Sequence, residues 1–119
     1  MGQPVVQWQI VTPAPDALAA FYAALFGWDI KTNNQLGYRM VDTASGQGIP
    51  GGIWPAPPEA ASFVQLFVAV DDMAATVART QELGGAVLIP PQRLPDGDEL
   101  AILRDPQGLT FGVMRSGRQ

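Results

Sequence analysis

The chain has 119 residues, a net charge of −4, 47% apolar residues, and neither cysteine nor histidine. That is enough chain for one buried core, but the acidic balance (pI about 4.4) leaves out the basic footprint that nucleic acids and anionic membranes need. Disulfides, thiol nucleophiles, Ser–His–Asp triads and imidazole metal ligands are excluded outright. With no apolar run long enough for a bilayer and no secretory leader pattern at the N-terminus, a cytoplasmic location is expected.

The first predicted element is a strand over about Val5 to Val11. Alternation puts Val6, Trp8 and Ile10 on one face and Val5, Gln7, Gln9 and Val11 on the other. Two glutamines on a face that otherwise reads as buried raise the question of what they point at. "PAPDALAAFYAALFG" follows as a helix. Pro15 suits its first turn, Asp16 suits the positive N-terminus, and Gly27 ends it. Leu18, Phe21, Tyr22 and Leu25 recur at helical spacing as its apolar stripe. Three strands are predicted next, over about Trp28 to Thr32, Leu36 to Thr43 and Ile49 to Trp54, with turns at Asn33–Asn34 and Ser45–Gly46.

The proline-rich segment at residues 56–61 reads as a stiff linker. Beyond it lies a strand at Phe63 to Val70, then a helix from Met73 to Leu83 with Asp71–Asp72 offering its cap. Gly84–Gly85 ends that helix. Strands at Ala86 to Ile89, Glu99 to Arg104 and Leu109 to Met114 complete the order, with "DPQG" (Asp105 to Gly108) as the last turn. The order strand, helix, three strands therefore occurs twice. A shift of 58 sets Gln65 under Gln7, Leu83 under Leu25 and Gly85 under Gly27; a shift of 60 sets Gly112 under Gly52. The prediction is one α+β domain of two tandem βαβββ units, about 4–55 and 62–116. A helix covers one face of each sheet, and the opposite faces form a shared concave cavity.

The stretches "AFYAALFGW" (Ala20 to Trp28), "VAVDDMAATVARTQELGG" (Val68 to Gly85) and "DPQG" resemble the vicinal oxygen chelate superfamily. That group includes glyoxalase I, bleomycin-resistance proteins and extradiol dioxygenases. The resemblance implies this fold and, often, a homodimer. It does not choose a reaction, because the superfamily holds isomerases, lyases, dioxygenases, thiol transferases and pure binders. It also implies four metal positions, on the first and last strand of each unit. Here they fall on Gln7, Gly52, Gln65 and Gly112. Metal-using members have His, Gln or Glu at the first and third and Glu at the others. Two neutral amides and two glycines make a poor donor set, so no metal and no other cofactor is expected.

The expected function is therefore binding of a small organic molecule in a central cavity. The alternatives are a metal-dependent lyase, isomerase or dioxygenase with an atypical site, and a regulatory subunit. Gln7 and Gln65 are read as amides on a wet wall or interface, as hydrogen-bonding groups for a ligand, or as metal ligands. Strand parity puts Trp54, Phe67 and Met114 on their face, where flat apolar ligands would meet aromatic and thioether surface. Arg39 and Glu99 occupy matching middle strands. They read either as solvated side chains or as a pair facing the cavity, with Arg39 gripping a charged ligand and Glu99 the one carboxylate available as a general base.

Overall fold

The computed structural model describes residues 2–31, 39–95 and 97–116. The expected turn at Asn33–Asn34, the start of the strand at Leu36, and Asp96 lie outside them. The chain groups into two compact units: Gln7–Gln65, called the first unit, and the residues up to Val6 with those from Leu66 onward, the second.

The first unit contains β1 (Val5–Thr12), α1 (Pro15–Phe26), β2 (Asp29–Lys31), β3 (Arg39–Asp42) and β4 (Gly51–Pro55). Its strands run in the order β2-β3-β4-β1. β1 and β4 are parallel, with Trp8 beside Gly51 and Gln9 beside Gly52. β2–β3 and β3–β4 are antiparallel, with Met40 beside Gly52. Pro15 stands at the start of α1 and Asp16 in its first turn. Gly27 closes the helix at φ 72°, a left-handed turn that a side chain would resist, and donates its N–H to the Ala23 carbonyl at 2.9 Å.

The apolar stripe predicted for α1 is split. Leu18 and Tyr22 are half-buried, whereas Phe21 and Leu25 are 57% and 58% exposed. No α1 residue is fully buried. The reason lies in composition. The helix is apolar nearly all round, so 3.6-residue spacing alone cannot tell the sheet-facing side from the outer one.

The second unit contains the end of β5 (Phe63–Ala69, of which Phe63–Gln65 belong to the first unit), α2 (Met73–Glu82), β6 (Ala86–Arg93), β7 (Glu99–Arg104) and β8 (Thr110–Arg115), ordered β5-β8-β7-β6. The Asp72 carboxylate accepts the Ala75 N–H at 3.0 Å and caps α2. Val70, Met73, Ala101, Leu103 and Val113 form the buried core under α2, with Val68, Val77, Val87 and Phe111 packed around them. Asp105 Oδ1 accepts the N–H groups of Gln107 and Leu109 at 2.8 and 3.0 Å, which sets the "DPQG" turn.

One element is longer than the sequence implied. β6 runs through Pro90 and Pro91 to Arg93 rather than stopping at Ile89. It is the last strand in its order, and its register with β7 shifts at Val87/Ile89 and again at Ile89/Gln92. A strand end with slipped register has no ladder bond for proline to break. The fold is α+β, with two tandem βαβββ units. The two parallel ladders share one register: Gln9 lies beside Gly52, and Phe67 beside Gly112.

Candidate functional site

The register of the first unit sorts its side chains onto two faces. Trp8, Ile10, Gly51, Ile53, Val41 and Arg39 share one face. α1 covers it. Ile53 and Val41 are 0% and 2% exposed there. A Cβ added to Gly51 would lie inside the Trp8 ring. The glycine is what lets that indole lie flat on the sheet and reach Trp28, with ring centroids 5.4 Å apart. Trp28 also stacks on Tyr22 of α1, 5.4 Å away at an interplanar angle of 17°. These aromatics hold the helix to the sheet, as packing rather than as a pocket.

The other face carries Gln7, Gln9, Gly52, Trp54, Met40 and Asp42. Among the described residues no helix of the first unit lies on it. A cavity of about 490 Å³ opens here. Its walls include Gln7, Lys31, Met40, Asp42, Gln47 and Pro50. The volume falls within the range of small-molecule sites, roughly 300–1,000 Å³. The loop from Asp42 to Pro50 forms one wall. Asp42 Oδ1 accepts the Ala44 N–H at 2.8 Å, and Gly46 and Gly48 take φ of 75° and 76°. Lys31 and Asp29 pair loosely at 3.7 Å in solvent, a contact worth about 0–1 kcal/mol.

Beside this cavity wall the glutamines are bonded together. Gln65 Nε2 donates to Gln9 Oε1 at 2.7 Å. Gln9 is 8% and Gln65 5% exposed. Gln65 Oε1 is buried with no hydrogen-bond partner. A second polar contact accompanies the pair: Ser62 Oγ donates to Thr12 Oγ1 at 2.8 Å. The repeat equates Gln7 with Gln65, yet the partner of Gln65 is Gln9. Equivalence in a repeat says which positions correspond; contact depends on register between distant strands. The alternation that put Gln9 on the face of Gln7 was the available signal.

The remaining candidates fall elsewhere. Trp54 is half-buried on the Gly52 face. In the second unit, Phe67 is 1% exposed, and its ring occupies the space a Cβ at Gly112 would need. Met114, half-buried, stands on the Gly112 face of β8 beside Ala69. Arg39 does not reach the open face of its sheet. Its Nε and Nη2 donate to Asp16 Oδ1 at 3.2 and 2.8 Å, tying β3 to the first turn of α1. Glu99 has the parity of Ala101 and Leu103, which pack under α2, and accepts Arg115 Nη1 at 3.4 Å. The facing Arg39–Glu99 pair considered from sequence is thus corrected. Strand parity fixed which residues travel together, but only the helix positions show which face is covered.

The four implied metal positions do not fit a divalent ion. Gln7 and Gln65 are neutral, and Gly52 and Gly112 carry no donor. A glutamate at 112 would collide with Phe67. Among the described residues no group of three His, Cys, Asp or Glu side chains is placed to hold a metal. No described helix is long and apolar enough to cross a membrane.

Two tandem βαβββ units are the architecture of the vicinal oxygen chelate superfamily. The chain belongs to the glyoxalase-like domain family, whose family model matches residues 6–114. It is 30% identical over 114 residues to "Putative glyoxylase CFP32" of Mycobacterium bovis (strain ATCC BAA-935 / AF2122/97) and of Mycobacterium tuberculosis (strain CDC 1551 / Oshkosh). The match covers 93% of this chain but 43% of those proteins, so the chain spans about two fifths of their length. Among solved structures, a methylmalonyl-CoA epimerase in complex with methylmalonyl-CoA and NH4+ superposes with a TM-score of 0.66 at 21% identity. That match covers 98% of this chain and 96% of the epimerase. A hypothetical protein, BH1468 from Bacillus halodurans C-125, superposes with a TM-score of 0.73 at 11% identity, covering 100% and 98%. At these identities the likeness is one of fold.

Proposed function

We propose that this glyoxalase-like domain binds a small organic molecule on the helix-free face of its first unit, and does so without a metal or other cofactor. The observation that carries the reading is the cavity of about 490 Å³ with Gln7 in its wall. Of the residues expected to bind the ligand, Gln7 lines the cavity; Trp54 stands on the same sheet face, in β4, and neither it nor Gln65 is in the cavity wall. Phe67 and Met114 stand on the corresponding face of the second unit. Arg39 and Glu99 are committed to Asp16 and Arg115, and take no part.

Metal-independent binding rests on donor chemistry. Amide oxygens alone bind hard cations weakly, and borderline metals prefer imidazole or thiolate, of which the chain has none. The solved epimerase shows that this fold can hold an acyl-CoA, which makes methylmalonyl-CoA one sensible probe among small carbonyl compounds. The test is a thermal-shift titration in EDTA. A compound class that raises Tm with EDTA present supports the reading, since ligand held by the folded state stabilises it by RT ln(1 + [L]/Kd). A shift that returns only when Ni, Zn or Mn is restored overturns it in favour of a metal-dependent enzyme.

A cytoplasmic homodimer is part of the same proposal. Phe21, Leu25 and Phe26 of α1 are each more than half exposed, an apolar outer surface that a second copy would cover. Light scattering at micromolar concentration should give twice the 12.7 kDa chain mass; a species at the chain mass contradicts the dimer.

A further inference from the structure

The wall of the cavity of about 490 Å³ is not neutral. Its charged members among the described residues are Asp29, Lys31 and Asp42. All three lie on the antiparallel strands β2 and β3, whose register sets Asp29 directly opposite Asp42 and Lys31 opposite Met40. Directly opposed residues of such a pair have Cβ atoms about 4.5–5.5 Å apart, so two carboxylates face each other across the strands, an arrangement that costs stability. One ammonium stands beside them. Lys31 reaches Asp29 at 3.7 Å, with both side chains more than half exposed, and a contact of that kind is weak and readily exchanged. Asp42 Oδ1 accepts the Ala44 N–H at 2.8 Å. Residues 32–38, which join β2 to β3, include no charged residue. Two carboxylates against one ammonium leave an excess of negative charge in the wall, next to the apolar surface of Met40, Ile49 and Pro50.

We propose that this cavity selects its ligand by charge and takes an organic amine, whose ammonium group docks between Asp29 and Asp42 while its apolar body lies on Met40, Ile49 and Pro50. This rests on the small-molecule reading above and names the ligand class within it. An ammonium has three donors and no acceptor, so it can bridge two facing carboxylates with charge-assisted bonds and relieve their repulsion. An anionic ligand meets the opposite balance: Lys31 attracts it, but Asp29 and Asp42 stand in the same array and repel it. A neutral ligand gains nothing from the charges. A divalent metal is a poorer occupant, because Lys31 stands in the array and no third His, Cys, Asp or Glu is placed there among the described residues. Lys31 is a specificity residue, since its ammonium competes with that of the ligand for Asp29.

The test uses three probes that share a phenylmethyl body and differ in charge: benzylamine, benzyl alcohol and phenylacetate. Backbone amide shifts of the labelled full chain are followed at neutral pH and low salt, with EDTA present. Benzylamine should bind roughly tenfold tighter than benzyl alcohol, about the worth of one charge-assisted hydrogen bond, and phenylacetate should bind weakest. The shifts should centre on Asp29, Lys31 and Asp42 rather than spread over the acidic surface. The double variant Asp29→Asn/Asp42→Asn should bring benzylamine down to the affinity of benzyl alcohol. It should melt no lower than the wild type, because Asn keeps an oxygen for the Ala44 N–H and the opposed charges are gone. Lys31→Met removes the competing ammonium and should tighten benzylamine binding by roughly two- to fivefold. Equal affinity for benzylamine and benzyl alcohol, an amine preference that survives in the double variant, or shifts centred away from these three residues overturns the charge rule alone. Phenylacetate binding tighter than benzylamine overturns it in favour of an anionic ligand held by Lys31. Failure of all three probes to shift any cavity residue sinks the small-molecule reading and this inference with it.

Discussion

Replacing Phe67 with alanine is expected to cost about 3–5 kcal/mol of stability, the usual penalty for emptying a fully buried aromatic site. Phe67 is 1% exposed and is among the largest fully buried side chains. The same ring fills the space above Gly112. Gly112→Ala alone should therefore cost about 1–3 kcal/mol by overpacking. The two changes should not add. In a Phe67→Ala background the ring is gone, and Gly112→Ala should be close to neutral or restore some stability. Urea denaturation of the four proteins reads this directly. Additive losses would show that Phe67 and Gly112 do not share the space.

The second large effect is in the first unit. Gly51→Ala should lower stability by about 1–3 kcal/mol, because its Cβ would enter the Trp8 indole. The damage should spread to the aromatic cluster. Displacing Trp8 disturbs its contact with Trp28 and, through Trp28, the stack on Tyr22. Near-ultraviolet circular dichroism should lose aromatic signal in Gly51→Ala, and Trp8→Leu should suppress the cost of the glycine change. A Gly51→Ala protein with unchanged melting and an unchanged aromatic spectrum would refute this packing.

Gly52 and Gly112 show how far the sequence can be read. The repeat equates Gly52 with Gly112, and the matching ladder registers agree: each lies beside a β1- or β5-type residue at the same offset. Why position 112 is glycine was not legible. It depends on the ring of Phe67 lying across the strand, a rotamer choice made by three-dimensional packing. Local signals fared best. "DPQG" is a self-contained turn held by Asp105, and the span Glu99–Arg104 is a strand bounded by polar residues. Pro90–Pro91 misled because proline is a breaker only where a ladder bond is needed. The α1 stripe misled because Phe26 and Phe21 make the outer side as apolar as the inner.

The site was legible in part. Period-two alternation placed Gln7 and Gln9 together on one face, and the repeat brought Gln65 into the argument. That Gln65 would bond Gln9, rather than share a ligand with Gln7, depends on which strand residues end up side by side. No composition or spacing rule carries that. The loop from Asp42 to Pro50, which walls the cavity, was read only as a turn. Its role comes from where β3 and β4 place its ends. Arg39 drew attention as a charge on a middle strand, but the carboxylate that holds it is on α1, 23 residues earlier in the chain.

The central claim is that a ligand occupies the helix-free face of the first unit beside Gln7 without a metal. Backbone amide shift mapping of the labelled protein, in EDTA, with a binding compound from the thermal-shift panel, tests it most directly. The account predicts the largest perturbations at Gln7, Met40, Gln47 and Gly51, with α1 nearly silent. Perturbations centred on Phe21, Leu25 and Phe26, or appearing only after a divalent metal is added, would contradict it.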